Sequence, residues 1–165
     1  MARILVGNFK GIQGLQGDPG LGFPSGGSLN QYLKKASSED YDTEWGPEVR
    51  FPQFSVPGDL TTGTNKAFLI APFDMTIIGL RAAVLTAPTG ADLIVDVNVN
   101  GDSVYTTQAN RPTIDAGETS VSGELPDEVS ILEGDMVSID IDQIGSTISG
   151  SNLAVLIYAE VVDIE

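Results

Sequence analysis

The run Asp96-Val97-Asn98-Val99-Asn100-Gly101 carries the oxygen donors of the first half of a calcium loop, Asp-x-Asn-x-Asn-Gly. Such a loop needs a bidentate Glu at its twelfth position, and Thr107 stands there. Valines at the intervening positions favour instead a strand running into a type I′ hairpin turn at Asn100-Gly101. Asp140 and Asp142 form a second acidic pair, about 7 Å apart on one strand face. A carboxylate pair of this kind does glycosidase chemistry, or holds a cation together with Asp92 or Asp96. No Arg, Tyr or Trp stands near them in sequence to tune either carboxyl, so a solvated outer face is the expected role. Serine and threonine are plentiful, but the chain has no histidine, which removes the base of a Ser-His hydrolase. Tyr105 and Tyr158, with Asn and Asp nearby, have the chemistry of a sugar site, and core or intersubunit packing is the expectation for both. The chain reads as a protein that is not an enzyme and uses no metal and no other cofactor.

The remaining composition narrows the class. At 165 residues there is room for one real domain and a tail. There is no cysteine, so no disulfide supports the fold. The net charge is −15, and no Lys or Arg follows Arg111. A field of that sign opposes nucleic acid and anionic membranes as partners. No apolar run reaches the ~20 residues that span a bilayer. The start, Met1-Ala2-Arg3-Ile4-Leu5-Val6, is too short and too quickly polar for a secretory signal, so synthesis and folding in a cytoplasm are expected.

From Leu60 onward the apolar residues recur with period two, the signature of half-buried strands. The expected strands are Ala67–Ala71, Met75–Leu85, Leu93–Asn100, Ser103–Thr107, Thr113–Ile114, Thr119–Ser122, Met136–Asp142 and Leu153–Val161. In Leu93–Asn100 the residues Leu93, Val95, Val97 and Val99 face one way, and Ile94, Asp96, Asn98 and Asn100 the other. Leu153–Val161 is the most apolar and belongs at the centre of a sheet. Turn residues separate the strands at Asn100-Gly101, Ala116-Gly117, Glu133-Gly134 and Gly145–Asn152. About eight strands and no helix predict an all-β, jelly-roll-like β-sandwich over residues 59–165.

Upstream, Gly11, Gly14, Gly17 and Gly20 recur at every third position. Three polyproline-II chains wound about one axis need glycine at that period, so the repeat predicts a parallel homotrimer with a collagen-like stalk over residues 11–22. At about 3.1 Å per residue the stalk is roughly 35–40 Å long, too short to hold three chains without flanking contacts. Before it, residues 1–10 place Ile4, Leu5, Val6 and Phe9 in an extended segment with no domain to bury them. Exposed apolar segments need a partner, so this one reads as an anchor on another protein or as a three-chain knot above the stalk. Residues 23–58 form a connector in which Tyr32, Leu33, Tyr41 and Trp45 are the candidate trimer contacts. Leu29, Tyr32 and Leu33 are expected to face the axis, and Trp45, the only tryptophan, to pack on its symmetry mates.

The connector resembles one found in phage tail-fibre and head-fibre proteins, through Gly27, Leu33, Lys34, Ser37, Asp40-Tyr41-Asp42 and Trp45 directly after Gly-x-y triplets. The region from Phe68 to Tyr158 resembles a module of phage virion proteins. Its residues are Ala71-Pro72-Phe73, Gly79-Leu80-Arg81-Ala82, Thr86–Gly90, Val95–Asn98, Asn100-Gly101, Thr113–Glu118 and Ile139–Thr147. The resemblance implies a trimeric phage structural protein on the virion surface, made in the host cytoplasm. Its partners would be two further copies of itself and, through residues 1–10, the major capsid protein or another virion protein. A head fibre or capsid decoration spike is expected, with adhesion to a host-cell surface glycan as a secondary role. The alternative is a tail-fibre or receptor-binding tip, a minor tail protein that recognises host polysaccharide.

Overall fold

The alternating segments pair into antiparallel ladders because each buries one face only, and the order of pairing fixes which residues meet. The computed structural model describes residues 24–29 and 31–162. The anchor residues Ile4, Leu5, Val6 and Phe9, and the stalk glycines Gly11, Gly14, Gly17 and Gly20, lie outside the described residues. The connector opens with β1 (Gln31–Lys35), β2 (Thr43–Pro47) and β3 (Val49–Arg50). Next come β4 (Gln53–Asp59), β5 (Gly63–Ile70), β6 (Met75–Ala83), β7 (Leu93–Val99) and β8 (Asp102–Ser103). A 3-10 turn at Gln108–Asn110 precedes β9 (Thr113–Ile114), β10 (Ser120–Gly123) and β11 (Ser130–Ile131). The chain closes with β12 (Met136–Gln143) and β13 (Ser151–Val161).

The described chain is all-β, in one hairpin and two larger antiparallel sheets. One sheet runs β10-β6-β13-β3, with β11 beside β10 on the edge of β6 and β4 beside β3 on the edge of β13. The other runs β5-β12-β7-β8, with β9 sharing the β8 edge of β7. Their inward side chains meet in a single core. Ile77, Leu80 and Ala82 of β6 and Val155 and Ile157 of β13 supply one half, and Val95, Val97, Ile139 and Ile141 of β7 and β12 the other. Full burial of each larger aliphatic is worth about 1.5–3 kcal/mol, enough for a sandwich without disulfides. β13 is the central strand expected from its composition, flanked by β6 on one side and β3 and β4 on the other.

Three boundaries differ from the sequence reading. Residues 49–58, expected in the connector, carry strands that pair with β13 and belong to the sandwich. Pro52, Pro57 and Gly58 make that stretch read as turn material, yet an edge strand tolerates proline because one side of its ladder stays open. The strand expected at Ser103–Thr107 stops at Ser103: Val104 N still donates to Val97 O at 3.0 Å, but Tyr105 turns into the core instead of continuing the ladder. A third short strand, β11, was not visible in the alternation.

Four connections gather at one end of the sandwich and are tied by backbone hydrogen bonds. Leu60 N donates to Gly150 O at 3.0 Å, Gly117 N to Pro88 O at 2.8 Å, and Thr89 N to Ile148 O at 2.9 Å. At the opposite end β3 meets the last residues of β13, so the connector enters there. The tied loops are therefore the end farthest from the connector.

Candidate functional site

The candidate chemistry lies on the outer face of the β5-β12-β7-β8 sheet. Asp96 and Asp140 are directly opposite each other in the ladder, and Asp142 lies two residues further along β12. Asp142 is exposed and Asp140 half-buried on this face, whereas Asp96 is only 6% exposed. Its carboxylate accepts hydrogen bonds from Val97 N and Ser103 Oγ, both at 2.8 Å. Burial nonetheless dominates and raises its pKa, with the Asp142 charge adding to the rise and the two hydrogen bonds and the Arg111 charge opposing it. Arg111, distant in sequence, folds over from the loop after β8 and forms an ion pair with Asp142, while its Nε donates to Gln108 O at 2.8 Å. Asp140 accepts from Asn65 N at 2.7 Å.

Each acid thus holds a piece of backbone or a cation of its own chain. Asp142 secures the loop of residues 104–111 through Arg111, Asp96 holds Ser103 just before that loop, and Asp140 fixes the start of β5. Asp92, the other acid weighed as a cation ligand, accepts from Ala116 N at 2.8 Å. The Asp-x-Asn-x-Asn-Gly run is a strand ending in a two-residue turn, with Asn100 at φ 55° and Gly101 at φ 94° and Val99 paired with Asp102. Its oxygens are strung along an extended backbone, and Asn100 is engaged with Asp135 and with Met136 N. Positive φ at both turn residues is the type I′ requirement that Asn-Gly meets at least cost.

The sugar-site candidates are also placed. Tyr105 is fully buried, and its hydroxyl donates to Glu124 O at 3.2 Å, joining the β8 edge of one sheet to the segment after β10 of the other. Burial, with the Asp96 and Glu124 charges, raises its pKa. Tyr158 points outward from β13 and meets Phe51 edge to face, with ring centroids 5.5 Å apart.

The connector residues form a hairpin. In the β1–β2 ladder Leu33 is opposite Trp45 and Tyr32 opposite Gly46. Tyr32 and Leu33 therefore point to opposite faces, and only one of them can turn toward a common axis. This corrects the shared-face expectation, which a strand's alternation forbids. Trp45 packs on its own chain: its Nε1 donates to Pro24 O at 2.9 Å, and a Cβ on Gly27 would lie 2.8 Å from the indole ring. The Asp-Tyr-Asp motif closes the hairpin loop. The Ser37 hydroxyl donates to Asp42, Ala36 N donates to Asp42 O, and Tyr41 stands exposed at φ 62°.

Beyond these, the structure exposes an apolar groove that sequence patterning did not reveal, of about 320 Å³ between β3 and β5. Phe51, Leu69, Ile70 and Phe73 line it, and the Arg50 guanidinium sits 5.7 Å from the Phe73 ring centre. Arg50, Phe51 and Pro52, which carried no strand signal, form one wall and residues 69–75 the other, so only the folded chain brings the two together. No family model matches the chain, and neither a curated protein nor a solved structure matches it.

Proposed function

We propose that this protein is a trimeric phage virion spike, a head fibre or capsid decoration that displays a jelly-roll tip at the end of a short collagen-like stalk. The observation that carries the reading is the strict Gly-x-y period of residues 11–22 leading into a tip of this strand order. Taking β4 and β5 as the first two strands, the orders β4-β13-β6-β10 and β5-β12-β7-β9 are those of a jelly roll. The polarity of the tip supports display: the connector joins one end, and the four tied loops face away from it. Those loops are rich in Ser, Thr and Gly and carry no tryptophan or tyrosine, which favours a structural spike over a glycan-binding tip. Residues 1–10 attach the chain to a capsid or other virion protein, and three copies give avidity to any weak surface contact. The carboxylates act as fasteners rather than as a catalytic pair.

The test is quantitative mass spectrometry of gradient-purified particles whose genome encodes this chain. The chain is expected in multiples of three per particle, and a variant lacking residues 1–10 is expected in the lysate but not on particles. Absence of the full-length chain from particles would refute the assignment.

A further inference from the structure

Three tips gathered by one stalk would bring together −45 of net charge, so any contact between them must use surface that carries almost none. The outer faces of the two sheets differ sharply in this respect. On the β5-β12-β7-β8 sheet the outward row holds Asp140 opposite Asp96, with Asp142 beyond. On the β10-β6-β13-β4 sheet one outward row reads Ser120, Ala83, Ala154, Ser55 across four strands. The next reads Ser122, Arg81, Leu156, Gln53. Two complete rows thus contain a single charge, Arg81, whose guanidinium donates to Ser122 Oγ at 3.1 Å. Among the described residues the ion pairs are Lys34–Glu44, Arg50–Glu48 and Arg111–Asp142, so Arg81 belongs to none of them.

The first row is flat as well as uncharged. Alanine and serine keep the pleat low, and the exposed ends Ser120, Ser122, Gln53 and Ser55 show that no other part of the described chain lies over them. Apolar side chains continue the surface toward the connector: Tyr158, Ile78 at 42% exposure and Phe51 at 56%. The connector joins the sandwich at that end, so the surface begins where the stalk brings three copies closest.

We infer that the outer face of the β10-β6-β13-β4 sheet is the contact between tips, turned toward the threefold axis and covered by two further copies of this chain. The acidic face of each sandwich then points away from its neighbours, which separates like charges as far as the fold allows. This rests on the trimeric reading above, but not on the virion assignment.

The chain has no cysteine, so single-cysteine variants report proximity cleanly. The full chain carrying Ala154→Cys, and separately Asp140→Cys, is treated with a short bis-maleimide, with light scattering to count copies. Covalent oligomers of Ala154→Cys and none of Asp140→Cys are expected. A second pair guards against misfolding: Leu156→Asp is expected to shift the tips from trimer to monomer at micromolar concentration, and Phe68→Asp, on the other face, is expected to leave the trimer intact. The fold of each is checked by circular dichroism. Cross-linking only at Asp140, dissociation only by Phe68→Asp, or a trimer that neither cysteine captures would overturn the assignment of this face. A monomeric wild-type chain would overturn both the face and the threefold reading. A trimer in solution that is absent from particles would sink the virion assignment alone.

Discussion

At the scale of single residues, the acids of this chain matter through hydrogen bonding and burial. Asp127 and Asp135 have pKa values held below the usual carboxylate value, the first chiefly by Thr107 N–H and the second by the Asn100 side chain. Their stabilisation is present above the unfolded carboxylate range and is lost as pH falls through their lowered values. Asp96 has the opposite sign. Its raised pKa means that the folded chain binds the proton more tightly, so stability falls as pH rises through that raised value. Asp96→Asn keeps an oxygen for Val97 N and Ser103 Oγ and removes the charge. Its urea midpoint is expected to exceed that of the wild type increasingly as pH rises above the unfolded carboxylate value of about 4. A constant difference across that range would show that Asp96 titrates normally. Gly145 is governed by space instead: a Cβ there would lie 1.9 Å from Ile148 O and 2.7 Å from Thr89 N. Gly145→Ala is expected to cost about 1–3 kcal/mol in urea unfolding, as overpacking does, because backbone must shift.

At the scale of elements, what was legible in the sequence followed the strength of alternation. β7 and β12 were readable because one face is aliphatic and the other largely polar, β13 because it is apolar almost throughout, and Asn100-Gly101 announced its own turn. The burial of Asp96 was not readable, because it depends on a loop that returns from residues 104–111 and on Arg111 reaching Asp142 across 31 positions. The acidic pair and its companion Asp96 were named, but a cation to neutralise them was sought nearby in sequence, whereas Arg111 arrives from a loop 31 positions away. β4 was hidden by Pro57 and by Pro52 just before it, and the connector hairpin by short, mostly polar strands. That hairpin stands on little apolar burial, so it is expected to open independently of the sandwich. Trp45→Ala should therefore speed proteolysis around residues 24–29 while leaving the thermal midpoint of the sandwich unchanged. A lowered sandwich midpoint would mean that hairpin and sandwich unfold as one unit.

At the scale of the whole molecule, the proposed assembly gathers three chains through the Gly-x-y segment and turns the weakly charged face of each tip inward and the acidic face outward. A glycine at the axis of a triple helix cannot be replaced without displacing the neighbouring chains. Gly14→Ala or Gly17→Ala is expected to expose residues 11–22 to protease while the tip keeps its fold, and unchanged resistance would count against a triple helix. The central claim, display on a virion, is tested most directly by electron microscopy of purified particles with this protein tagged at the loop of residues 145–150. The account predicts label spread over the head at threefold positions or hexamer centres. Label confined to the tail would contradict the decoration reading in favour of a receptor-binding tip, and particles without label would contradict display on the virion altogether.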